Sequence, residues 1–264
     1  MPAHCRRSLL PLLVLPILLA GMGCDLVTAE FRSEETTEWR KSYELPTGGQ
    51  VEIVNVNGRI NVEPSTGRTV EVVAIEKAKG SSPEAAKEAL KRITIQDEQS
   101  SSGIRIETKI ARKDSMFGGG LEVEYHVKLP ADAGVRLQTV NGGVDVRGLT
   151  GSVRAETTNG GVDADGLAGP VEASTTNGGL NIGMAQVSGD IRLECTNGGI
   201  RLRVPKDARA TVTARVTNGG IDTGGLSIET SGETTRRRLE GRLNGGGPAI
   251  HLETTNGGVH LSGR

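Results

Sequence analysis

The feature that most restricts how this chain can fold is a tripeptide, Asn-Gly-Gly, that recurs through its second half. Copies begin at Asn141, Asn159, Asn177, Asn197, Asn218 and Asn256, at steps of 18, 18, 20, 21 and 38 residues. The last step is close to two periods. Six, four and two places before each Asn stand Val135/Leu137/Thr139, Val153/Ala155/Thr157, Val171/Ala173/Thr175, Ile191/Leu193/Cys195, Val212/Ala214/Val216 and Ile250/Leu252/Thr254. Three places after it stand Val144, Val162, Leu180, Ile200, Ile221 and Val259. Alternate residues of a strand share a face, so each set is one apolar face. The columns between, such as Arg154, Glu156, Asp163, Arg192, Glu194, Arg201, His251 and Glu253, are mostly charged and of mixed sign, and are expected to face water. Each repeat therefore reads as strand, Asn-Gly-Gly turn, strand, second turn.

Two arrangements fit this unit. An antiparallel meander would use Asn-Gly as a hairpin turn. A parallel solenoid would stack each coil on its neighbour, Thr on Thr, Asn on Asn and aliphatic on aliphatic. Only the stack gives a reason for the same residue to recur in the same column, and a column of Asn can satisfy its amides from coil to coil. The expected fold is all-β, a parallel β-solenoid of stacked two-strand coils with one short helix at about 83–92. Its structural turns are Asn57-Gly58, Asn141-Gly142-Gly143, Asn159-Gly160-Gly161, Asn177-Gly178-Gly179, Asn197-Gly198-Gly199, Asn218-Gly219-Gly220 and Asn256-Gly257-Gly258. Asn57-Gly58 is an early copy with Arg59 in place of the second Gly, whereas the Gly-Gly after Asn244 is off register and reads as a loop. For the helix, Ser81 with Glu84 and Ser82 with Pro83 serve equally well as a start.

Glycine divides the chain: residues 24–130 hold 9 and residues 131–264 hold 27. All five aromatics, Phe31, Trp39, Tyr43, Phe117 and Tyr125, precede residue 126, so the interior must be thin and built of small aliphatics. Ahead of this, Arg6 and Arg7, the apolar run Leu9 to Ala20 and Gly21-Met22-Gly23 have the form of an export signal. Leu19-Ala20-Gly21-Met22-Gly23-Cys24 resembles a bacterial lipoprotein lipobox, which implies cleavage before Cys24 and a lipid on its thiol. The expected organisation is a signal peptide over 1–23, a lipidated Cys and tether over 24–42, a β-rich part with the helix over 43–130, and the repeat solenoid over 131–264. Phe31 and Trp39 mark where the tether starts to pack, as a first strand. Without the signal the charge is 29 basic against 32 acidic residues, or −3, which gives no pull towards nucleic acid.

The Asn57-Gly58 coil, the Leu129-Pro130 step with Gly134 leading into the coils, the Asn-Gly-Gly series and the late excursion 226–250 together resemble a bacterial adhesin-like domain family of unknown function, described as a "toast-rack" β-solenoid. The resemblance spans about 43–264. It implies an envelope location and no known catalysis.

The chain offers little else for chemistry. His126, His251 and His260 supply no diagnostic metal spacing, although His251 and His260 flank the last turn. Asp163-Ala164-Asp165-Gly166 lacks the further ligands of a calcium loop. Cys195 replaces Thr in its column and reads as a small buried residue. Arg236-Arg237-Arg238 reads as a solvated loop. No catalytic residue, metal ligand or cofactor is expected. The favoured reading is a non-enzymatic envelope lipoprotein, a structural or interaction scaffold. Its partners would be the membrane, through the lipid, and an envelope protein or glycan, with no nucleic acid. The alternatives are a solenoid enzyme acting on envelope polysaccharide and an envelope sensing module. Two outward carboxyls about 5–10 Å apart in a groove would favour the enzyme, and scattered charges the scaffold.

Overall fold

The computed structural model describes residues 33–111, 120–231 and 234–264. The signal over 1–23, Cys24, Phe31, Phe117 and Gly118-Gly119 lie outside the described residues. In chain order the elements are β1 (Ser33–Glu44), β2 (Gln50–Val54), β3 (Ile60–Ser65), β4 (Thr69–Gly80), α1 (Pro83–Leu90), β5 (Ile93–Gln99), β6 (Gly103–Ile110), β7 (Leu121–Pro130), β8 (Gly134–Asn141), β9 (Val144–Arg147), β10 (Val153–Asn159) and β11 (Val162–Leu167). Then follow β12 (Val171–Asn177), β13 (Leu180–Met184), β14 (Ile191–Asn197), β15 (Ile200–Val204), β16 (Ala210–Asn218), β17 (Ile221–Asp222), β18 (Ile228–Thr230), β19 (Arg238–Leu243), β20 (Ala249–Asn256) and β21 (Val259–Gly263). The first strand starts at Ser33, inside the stretch read as a tether.

Equivalent strands pair in parallel, so the solenoid and not the meander is formed. One sheet runs β1-β4-β7-β3-β9-β11-β13-β15-β21-β17, and the other β18-β19-β16-β20-β14-β12-β10-β8-β2-β6-β5. Register is like on like: Val153 opposes Val171, Ala155 opposes Ala173, Thr157 opposes Thr175 and Asn159 opposes Asn177. The inward columns close on each other as one interior, with Leu137, Ala155, Ala164, Leu193, Leu202 and Leu252 fully buried. Small side chains in facing columns suit two sheets about 10 Å apart.

The order of coils departs from the order of the chain. The β2–β3 coil lies between β6–β7 and β8–β9, and the β20–β21 coil lies between β14–β15 and β16–β17. Asn256 therefore stacks between Asn197 and Asn218. Residue spacing carries no sign of this, because Ile250/Leu252/Thr254 match the columns on either side equally well. The late excursion makes the insertion possible. Strand β19 returns antiparallel along the outer edge of β16, and β20 then pairs in parallel with its inner edge. The connecting turn holds Asn244 at φ +49°, its side-chain amide donating to the carbonyls of Lys206 (3.0 Å) and Ala208 (2.8 Å).

A stack of parallel coils leaves an open edge at each end of each sheet, which invites pairing with other chains. Antiparallel strands cover three of these edges, and the backbone of the late excursion covers the fourth, beside β17. At one end β4 and β1 extend the first sheet and β5 extends the second, with α1 packed on β4 and β1. The helix begins on Ser82, whose hydroxyl accepts from the Ala85 N–H at 3.2 Å, so Ser82 with Pro83 is the working start. At the other end the Arg236-Arg237-Arg238 run lies against the last coil. The carbonyls of Arg237 and Arg236 accept from the N–H groups of Val216 (2.9 Å) and Ile221 (3.0 Å).

Candidate functional site

The Asn-Gly-Gly corners form a continuous hydrogen-bonded ridge. Each Asn side-chain amide donates to the side-chain oxygen of the neighbour nearer the β7 end: Asn141 to Asn57, Asn159 to Asn141, Asn177 to Asn159, Asn197 to Asn177, Asn256 to Asn197 and Asn218 to Asn256, all at 2.8–2.9 Å. Asn57 completes the ladder on the Leu121 carbonyl at 3.0 Å. A second column lies just inside. The hydroxyls of Thr157, Thr175 and Thr254 donate at 2.8–2.9 Å to the carbonyls of Gly142, Gly160 and Gly198. The Cys195 thiol does the same to Gly178 at 3.1 Å, and burial pushes its pKa up. Cys195 is thus a buried structural residue that takes over the hydroxyl's task. Asn55, in the same column, satisfies the β7 side by donating to the Val123 carbonyl at 2.8 Å.

The two glycines of a turn differ, most clearly at Asn177-Gly178-Gly179. A methyl on the first would overlap the carbonyl oxygen of the first glycine in the adjacent coil, as Gly178 would with Gly160. Gly178 also sits at φ +151°. A methyl on the second, Gly179, would meet nothing nearer than 3.5 Å. This is why Arg59 can stand in the second position while Gly58 cannot be replaced as easily.

The outward side chains are largely committed to each other. Arg154 joins Glu156 and Glu172 of the next coil, both at 2.7 Å, and Arg105 reaches Glu52 at 2.6 Å. Asp163 is held by Arg147 at 2.9 Å and by the Asn181 amide at 2.9 Å, and Asp165 by Arg264 at 3.0 Å, so Asp163-Ala164-Asp165-Gly166 spends its carboxylates on protein partners. A cavity of about 670 Å³ opens beside Asn57 and Asn141. Its cations are also engaged, Arg59 with Asp145 at 2.6 Å and Lys77 with Glu124 at 3.2 Å.

The two candidate histidines are not brought together. His251 lies on β20 and His260 on β21, in different sheets, and His260 faces Asp222 at 2.8 Å. Among the described residues one acidic pair converges with a histidine. Glu194 and Glu253, directly opposed on β14 and β20, border a groove of about 320 Å³, and His251 stands beside them. Both acids rise from the same wall on adjacent strands. A glycosidase needs its two carboxyls to flank the scissile bond from two sides, so this pair is not placed for that chemistry. No sequence feature marked it, because the insertion of the β20–β21 coil creates it.

Residues 133–262 match the family described as Toastrack DUF4097. Among solved structures, a protein of Clostridium sporogenes described as a "putative cell adhesion protein" shares 12% identity over 87% of this chain and 100% of its own, with a TM-score of 0.52. A "putative adhesin" of Bacteroides fragilis shares 10% identity over 86% of this chain and 97% of its own, with a TM-score of 0.40. No curated protein matches. At 12% identity the first likeness is one of fold.

Proposed function

We propose, proceeding from the match of residues 133–262 to the Toastrack family model, that this protein is a non-enzymatic, adhesin-like scaffold of the bacterial cell envelope. Export through residues 1–23 and a lipid on Cys24 would hold it to a membrane, and the coils would present their outer faces to an envelope protein or glycan. The observation that carries this reading is the Asn ladder, which ties the coils from Asn57 to Asn218 into one rod by side-chain bonds of one direction. A rod so fastened suits display at a distance from the membrane more than the movement that many catalytic cycles require. The name carried by the Clostridium relative supports the adhesive reading.

Two measurements test it. In fractionated cells the wild-type chain is expected in the membrane fraction and Cys24→Ser in the soluble fraction; a variant that fractionates like the wild type removes the lipid anchor. Immobilised protein is expected to retain an envelope glycan or protein without releasing reducing ends from envelope polysaccharide. Release that Glu194→Gln abolishes would make the protein an enzyme.

A further inference from the structure

We propose that Glu194, His251 and Glu253 form a binding site for a dication of the zinc class. The proposal stands independently of the adhesive reading. The three side chains share the outer face of β14 and β20, and their donor atoms, two carboxylate oxygens and one imidazole nitrogen, lie within 4.8 Å of one another. His251 Nε2 and Glu253 Oε2 are 3.2 Å apart. Two ligands of a tetrahedral zinc with bonds of about 2.0 Å are separated by roughly 3.3 Å. Those two donors therefore already stand at coordination spacing. Glu194 is directly opposite Glu253 in the parallel register, so a side-chain rotation brings in the third ligand with the backbone in place. Imidazole with carboxylates suits zinc and its neighbours, whereas calcium prefers an all-oxygen set.

The charge pattern of the column points the same way. Along the stack it reads Gln138, Glu156, Ser174, Glu194, Glu253, Arg215. Glu156 has neutral neighbours on both sides, and within this column Glu194 and Glu253 are the one like-charged pair. Directly opposed like charges on neighbouring strands are destabilising. The protein answers only half of the problem. Arg192 forms an ion pair with Glu194. Arg215, opposite Glu253, approaches Glu240 at 3.8 Å, and Glu253 is left with His251. A dication between the two carboxylates neutralises the pair and fastens the inserted coil to its neighbour. His251 is 26% exposed, Glu194 40% and Glu253 53%, so an ion can reach all three.

Calorimetric titration of the metal-free, untagged full chain with zinc chloride is expected to show saturable uptake of one ion per chain and a rise in Tm. His251→Gln and Glu253→Gln are each expected to weaken that uptake by about 10-fold or more. Both positions are solvent-accessible, so neither variant should lower the metal-free Tm appreciably, and Glu253→Gln, which removes the like-charge contact, should hold or raise it; the loss of uptake then reports ligation. His126→Gln and His260→Gln, which remove the histidines beside Glu124 and Asp222, should leave uptake unchanged. The proposal is overturned by no saturable uptake in the wild type, by uptake retained in both ligand variants, or by loss in the His260 variant. With cobalt as the probe, a sulfur-to-metal charge-transfer band would assign the ion to a thiol and overturn it equally.

Discussion

A single methyl group separates the two glycines of the Asn177 corner. On Gly178 it would overlap the backbone oxygen of Gly160, and neither atom can rotate away. Gly178→Ala is expected to destabilise by about 3 kcal/mol or more, since overpacking against fixed backbone has no cheap relief. The melting temperature should fall by roughly 6 °C or more. Gly179→Ala meets only ordinary contact at 3.5 Å and should change stability by less than about 1 kcal/mol. Equal effects in thermal melts would mean that the coils are further apart than described. The tripeptide was visible in the sequence, yet six matching copies hide which glycine matters. Only Arg59, at the second position of the early copy, hinted at the answer. The hydroxyl column was half legible in the same way. Burial of Thr157 followed from alternation, but its bond to the Gly142 carbonyl did not, because the acceptor belongs to another coil.

At the scale of strands and coils, that bond separates two substitutions at one site. Thr157→Val keeps shape and loses a 2.9 Å hydrogen bond, for about 1–2 kcal/mol. Thr157→Lys places a charge between the sheets and should lower Tm far more; matching melts for the two variants would put residue 157 outside the stack. Strand β7 allows a pH test. Burial pushes the Tyr125 pKa up to about 12, and its hydroxyl shares a 2.7 Å bond with Thr108. A pKa raised in the folded state gives stability that is complete below the ordinary value near 10 and is lost as pH rises through about 12. Tyr125 should therefore contribute a fall of about 2–3 kcal/mol across that window, beside that of Tyr43, whose pKa burial also raises, and Tyr125→Phe should remove the Tyr125 part. An unchanged alkaline slope in the Phe variant would show that Tyr125 is not the group responsible. Element type was well marked by alternation, and of the two helix starts the sequence offered the chain uses Ser82 with Pro83. The helix stops at Leu90 and not at 92, because chain ends of short helices are set by packing more than by pattern.

At the scale of the molecule, a stack of near-identical coils is specified in its cross-section and hardly at all in its order. Every Asn-Gly-Gly column accepts every other, which is why the periodicity revealed parallel stacking but could not place the last coil. What places it is the antiparallel return of β19, and that strand has no repeat to betray it. The convergence of Glu194 with His251 and Glu253 was hidden for the same cause. These acids lie 59 residues apart in sequence and become neighbours only through the insertion.

Cross-linking between exposed threonines of successive corners tests the stacking and the insertion together. In a Cys195→Ser background, Thr196→Cys with Thr255→Cys places thiols on adjacent coils, whose parallel strands lie about 4.8 Å apart and within disulfide reach. Thr196→Cys with Thr217→Cys places them two coils apart, at roughly 9.6 Å and beyond it. Oxidation should close the first pair within one chain and leave the second open. Closure of the second pair with the first left open would contradict the inserted order, and closure of neither would contradict the parallel stack itself.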